Sequence, residues 1–185
     1  MNIAEAQKEI RLRFAGGFYG QLVSSVVWLG SAVLADRVST GAAMVCLVFG
    51  GFFIFPMTEF LARANKAPPL SRGNALRWLG MQVAFVLPLS MPLLLPVTRY
   101  SIGLFYPAMM ILLGAHYLPF VFLYGMRVFA ALAVFLLGGG LYLAVSGAHR
   151  FSVGAWYTSV VLLVFAFVAR MIVKAERLAK ELGQE

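Results

Sequence analysis

The spacing of its charges constrains this chain more than any other feature. From Phe14 to Val173 the sequence falls into six apolar runs of about twenty residues, separated by short stretches that hold most of the Lys, Arg, Asp and Glu. A helix of that length rises through a hydrocarbon core of roughly 30 Å. Lipid supplies no hydrogen bonds, so each backbone N–H and C=O must be satisfied inside its own segment, and a helix does this. The spans are read at about 14–35, 40–62, 77–97, 103–125, 128–147 and 151–173. Composition agrees, with 62% of the 185 residues hydrophobic and 12% charged. A soluble domain is about half apolar and about a quarter charged. The expected fold is an all-α integral membrane bundle of six transmembrane helices, forming one domain over 1–185.

Basic residues set the expected orientation. With the N-terminus in the cytoplasm, the odd-numbered loops leave only Arg37, Arg99 and Arg150 outside, and the other twelve of the fifteen Lys and Arg lie inside. Both termini are then cytoplasmic. The net charge of +8 forms a collar at the inner face. Anionic lipid headgroups are the partner such a collar fits, and nucleic acid is not expected. The first span is too long and too interrupted by Gln21 and glycines for a signal-peptide core, so it reads as uncleaved. Cys46 is the single cysteine, which excludes an intramolecular disulfide or a cysteine-based metal site.

Several local features bear on packing. "NIAEAQKEIRLRF" reads either as a short amphipathic helix at the inner interface, over about 1–13, or as a polar first turn of the first span. Gly16, Gly20 and Ser24 recur every four residues, a stripe that lets a second helix approach closely. Packing within the chain is the more ordinary use, and a homodimer is the other. "GGG" at 138–140 points to tight packing or a bend, and "GFFIFP" (51–56) echoes "GAHYLP" (114–119).

Six of the eight prolines fall inside spans: Pro56, Pro88, Pro92, Pro96, Pro107 and Pro119. Proline has no N–H, so the carbonyl four residues earlier loses its helical donor. In "LPLSMPLLLP" this frees Ala84, Pro88 and Pro92 along one stripe of the third span. The third span is expected to be kinked. It either lines a polar cavity as a discontinuous helix or has its carbonyls satisfied by neighbours. Pro119 similarly frees the carbonyl of Ala115 beside His116.

An ionisable residue inside a membrane is expensive and marks a candidate site. His116 in the fourth span lies roughly 13 Å from its inner end, and Glu59 in the second roughly 6 Å. Gln21 and Gln82 fall at roughly 8–11 Å on the same rise. The four therefore share the cytoplasmic half and are read as one polar cluster open to that side. Tyr106, Tyr117 and Tyr124 share a stripe of the fourth span, and Arg127 closes its inner end, adding Tyr117, Tyr124 and Arg127 to the pathway candidates. The competing reading is structural: a neutral histidine bonded to an amide or a free carbonyl, with Glu59 reaching Arg63 or Lys66. No catalytic set, resident cofactor or metal motif is assigned. One histidine and one glutamate are too few ligands, and His149 is expected at the opposite face.

The stretches "GGFFIFP" (50–56), "MQVAF" with "PLSMPL" (81–93) and "FYPAMMILLGAHYLPFVFLYGMRVFA" (105–130) resemble a family of uncharacterised bacterial multi-pass membrane proteins, a domain of unknown function. The resemblance covers most of the chain and is most specific at the fourth span. It implies a bacterial inner-membrane protein and supplies no substrate. The leading expectation is a small transporter or channel for an ion or small solute. An intramembrane enzyme acting on a lipid or lipid-linked substrate, or a non-catalytic structural or regulatory subunit, is the alternative.

Overall fold

The computed structural model describes residues 1–147 and 150–182, and His149 lies outside the described residues. The protein is an all-α bundle, with no strand among the described residues. Six helical stretches there are long and apolar enough to cross a membrane: Ile3–Arg37, Thr40–Ala64, Leu76–Tyr100, Ile102–Tyr124, Val128–Ser146 and Val153–Ala179.

The first stretch is two helices. Helix α1 (Ile3–Phe14) starts at a capping box. The Asn2 side chain accepts from the Glu5 N–H at 2.9 Å, and the Glu5 carboxylate accepts from the Asn2 N–H at 3.0 Å. The helix ends where Ala15, Gly16 and Gly17 take φ of 49°, 71° and 89°. This left-handed stretch turns the chain into α2 (Phe18–Arg37). The 1–13 segment is thus a helix distinct from the first span, but its Ala6, Ile10 and Arg13 are buried in protein.

Ser39 caps α3 (Thr40–Ala64) by accepting from the Ala42 N–H at 3.1 Å. The third span is α4 (Leu76–Ser90), a 3₁₀ turn over Met91–Leu93, and α5 (Leu94–Tyr100). The tighter turn gives the Pro88 carbonyl the Met91 N–H as donor, so this oxygen is satisfied locally. Helices α6 (Phe105–Tyr124), α7 (Val128–Ser146) and α8 (Val153–Leu182) complete the bundle.

Close seams form where a side chain is absent. A Cβ at Gly114 would meet the Leu137 side chain at 2.8 Å and its backbone N at 2.9 Å, and one at Gly140 would meet the Pro107 carbonyl at 2.8 Å, so α6 and α7 touch nearly backbone to backbone. Gly16 faces Ala169 and Val173 of α8, whereas Gly20 faces Thr58 of α3 and Ser24 a cavity. The small-residue stripe therefore serves contacts within the chain. Gly139 packs on Tyr157 and Gly138 faces open space. Helix α4 leans on α6 and only grazes α3. Phe49, Phe53, Phe60, Leu89 and Val134 point outward, the apolar surface a bundle presents to lipid.

The bundle has a basic end, which carries α1 and the 65–75 loop, and an opposite end. The opposite half is densely packed. Trp28 and Tyr106 are fully buried, and the Ser31 hydroxyl lies 2.6 Å from the Tyr106 hydroxyl and donates to the Ala43 carbonyl at 2.8 Å. At its rim Asp36 accepts from the Trp156 indole at 2.9 Å and pairs with Arg150 at 3.4 Å.

Candidate functional site

A cavity of about 570 Å³ lies between α2, α3, α4 and α6, in the half of the bundle toward the basic end. Its deep end closes on Trp28, Leu47, Met91 and Met109. Met91 belongs to the 3₁₀ turn, so the proline-interrupted stretch caps the cavity. Ala84, whose carbonyl has no helical donor because residue 88 is proline, lies on the wall, as does Pro88. The middle is apolar, with Gly51, Ile54, Met81 and Leu113.

At the basic end the cavity is floored by Ile10, Arg13 and Phe14 of α1 and by Pro69 and Leu70 of the loop. Helix α1 is held there from several sides. The Arg13 guanidinium donates to the Glu59 carboxylate at 2.7 Å and to the Ala67 carbonyl at 3.0 Å, and Arg13 is only 8% exposed. Arg11 donates to the Tyr124 carbonyl at 2.7 Å and Gln7 to the Phe122 carbonyl at 2.6 Å. These are last-turn carbonyls of α6, which lack helical donors and attract cations and N–H groups. The Glu9 carboxylate accepts from Asn74 at 2.9 Å and from the Ser71 hydroxyl at 3.0 Å, and Arg11 pairs with Glu176 at 3.3 Å. One short helix therefore joins the loop, α3, α6 and α8.

His116, Glu59, Gln21, Tyr117 and Tyr124 all line this cavity. The His116 ring sits edge-on to Tyr117 at 5.8 Å and Phe120 at 5.1 Å, and its buried Nδ1 has no hydrogen-bond partner among the described residues. Gln21 is 2% exposed, and its Oε1 is likewise buried without a partner. Tyr117, Tyr124 and Phe129 form an aromatic wall, with Tyr124 and Phe129 4.9 Å apart. The Glu59 carboxylate is engaged by Arg13 and lies 3.8 Å from Arg63, and no hydrogen bond joins it to His116.

Other expected positions lie elsewhere. Gln82 is exposed on α4 and does not line the cavity, because Met81 and Ala84 take the inward face and residue 82 is rotated about 100° from Met81. Arg127 is exposed between α6 and α7, and Pro56, Pro92, Pro96 and Pro119 face outward. Tyr106 separates from Tyr117 and Tyr124, being bonded to Ser31 in the opposite half. Gly51 lines the cavity while Gly114 packs on α7, so the two echoed stretches sit in different surroundings.

Arg13, Thr58 and Arg77 line the cavity without having been singled out as site candidates in the sequence, and Ser24, read there only as part of the small-residue stripe, lines it too. Arg13 and Arg77 read there as members of the basic collar, and only the docking of α1 and the packing of α4 against α6 bring them to the cavity wall. Among the described residues no group of three His, Cys, Asp or Glu side chains converges. The wall thus offers charge and hydrogen bonds at one end and apolar surface at the other.

Neither the curated proteins nor the solved structures contain a match to this chain. A family model does match, over residues 3–171, which spans every helix that lines the cavity. The chain belongs to that family, DUF7010, a family of unknown function.

Proposed function

We propose that this multi-pass membrane protein is a small carrier that moves an ion or small solute across a bacterial inner membrane, with its basic end and both termini in the cytoplasm. The observation that carries the reading is the cavity's form. It runs from the basic end to the middle of the bundle and stops at Trp28, Leu47, Met91 and Met109, beside a helix broken by proline. A channel needs a continuous path, whereas a carrier holds its substrate near the midplane and opens one side at a time. Broken helices recur at such sites because irregular backbone is tolerated where it lines a cavity.

His116 is the proton-linked group in this reading. An imidazole can take up and release a proton, and the buried Nδ1 of His116 has no hydrogen-bond partner among the described residues. Gln21 orients the substrate, and Glu59 holds Arg13 over the floor. Six helices are few for a carrier, which favours a homodimer. An enzyme acting on lipid is the weaker reading, because no carboxylate among the described residues bonds His116 to orient it.

The test is flux in proteoliposomes between about pH 5.5 and 8, following protons and monovalent ions, with His116→Ala alongside. Proton-linked flux that is present in the wild type and lost in the variant is the expected outcome. A wild-type protein that conducts like an open pore, or one indistinguishable from empty liposomes, would overturn it.

A further inference from the structure

We infer that the substrate of this cavity is a single-chain anionic amphiphile, a monoacyl glycerophosphate-type lipid, that enters sideways between α3 and α4 from the leaflet at the basic end. The inference rests on the carrier reading and names the substrate class of the same site. Charge is the first argument. Arg13, Arg63 and Arg77 line the basic end of the cavity against one carboxylate, Glu59. Arg13 consumes that carboxylate at 2.7 Å. Arg63 is 3.8 Å away with its side chain 76% exposed, and the Arg77 guanidinium is exposed with no ion pair or side-chain hydrogen bond among the described residues. Two cations therefore stand ready for an anion, one in the last turn of α3 and one in the first turn of α4. Guanidinium groups match phosphate oxygens in geometry and charge.

Access is the second argument. The floor is covered by α1 and the loop, and the opposite half is packed, so the remaining way in is the seam where α4 only grazes α3. Phe55, 41% exposed, and Arg77 both line the cavity and reach the outer surface, one on each side of that seam. A seam that opens within the membrane admits lipid rather than an aqueous solute.

The shape and polar fittings complete the match. Beyond the arginines the walls are Ile54, Met81, Leu87 and Met109, an apolar slot suited to an alkyl chain. About 570 Å³ lies in the range of pockets for one ligand, about 300–1,000 Å³, which points to one chain rather than two. The buried Gln21 Oε1 and His116 Nδ1 lack donors, and a glycerol hydroxyl supplies one.

The test reads binding, not movement. In a Trp78→Phe, Trp156→Phe protein, Trp28 at the deep end of the cavity reports on a chain that carries bromine, which quenches its fluorescence. Brominated lysophosphatidic acid is expected to quench Trp28 saturably and about ten-fold more tightly than brominated lysophosphatidylcholine. Arg63→Gln with Arg77→Gln should remove that preference, and Gly80→Leu, which adds bulk to the cavity wall where a Cβ meets only Leu123 of α6 at 3.8 Å, should weaken both lipids. Equal binding of the two lipids, no saturable quenching, or a preference that survives the double variant would overturn the inference. Displacement by millimolar inorganic phosphate would overturn it too, assigning the site to free phosphate. No gradient is involved, so quenching without flux removes the carrier and keeps the ligand, while proton flux without quenching does the reverse.

Discussion

At the scale of single residues, the Arg13–Glu59 pair decides whether the floor of the cavity holds. The 2.7 Å contact is largely shielded, with side-chain exposures of 10% and 25%. Glu59→Gln keeps the shape and removes the charge that Arg13 was buried to meet. Its expected cost is about 2 kcal/mol, between the values for surface and buried pairs. Thermal unfolding in detergent checks this, and a midpoint unmoved from the wild type would refute it. Glycines make a sharper contrast. Gly114→Ala puts a methyl 2.9 Å from the Leu137 backbone N, where nothing yields cheaply, and should cost about 1–3 kcal/mol. Gly138→Ala meets nothing within 4 Å and should be neutral or stabilising by up to about 1 kcal/mol. His116, Glu59 and Gln21 were legible in the sequence because polar groups are rare in apolar spans. Gln82 belonged to the same pattern and faces outward, since depth along a helix says nothing about rotation around it.

At the scale of elements, α1 and the α4–α5 break carry the interest. Helix α1 buries Ala6, Ile10 and Arg13 at spacings of four and three, a face the sequence shows but does not assign to lipid or protein. Its hydrogen bonds to the ends of α6 and to the loop make it part of the fold, hinged at the left-handed Ala15–Gly17 stretch. Ile10→Ala removes its central anchor at a cost of about 2–4 kcal/mol. Amide exchange should then speed up in residues 3–14 while the spans stay protected. Uniform loss of protection would mean that α1 is not a separable element. The proline run was legible as a break, but its use was not, because a local 3₁₀ turn supplies the Pro88 carbonyl with a donor. Pro92→Ala restores an α-helical donor to the Pro88 carbonyl and allows α4 to continue through Met91. The variant should be more stable to heat by about 1–3 kcal/mol and slower in flux, since the broken helix caps the cavity. Unchanged flux in a more stable protein would show that the break is incidental.

At the scale of the whole molecule, the count and order of spans follow from a constraint that leaves little freedom: apolar length and backbone satisfaction. That is why six spans were legible, while the boundary between α1 and α2 was not, since glycines in left-handed geometry and glycines in a helix look alike in sequence. The cavity was only half legible, because it depends on α4 standing off from α3, and nothing in either segment states the distance between them. Orientation is a property of the whole, and charge predicts it. Twelve of fifteen Lys and Arg lie at the end with the termini, and moving even short basic loops across a bilayer is disfavoured. In a Cys46→Ser protein, single cysteines at Ser39 and Ser101 should react with an impermeant maleimide added to intact cells. One at Ser71, in the basic loop beside Glu9, should react only after the membrane is opened. The reverse pattern would turn the molecule over, placing the arginine-lined cavity in the outer leaflet.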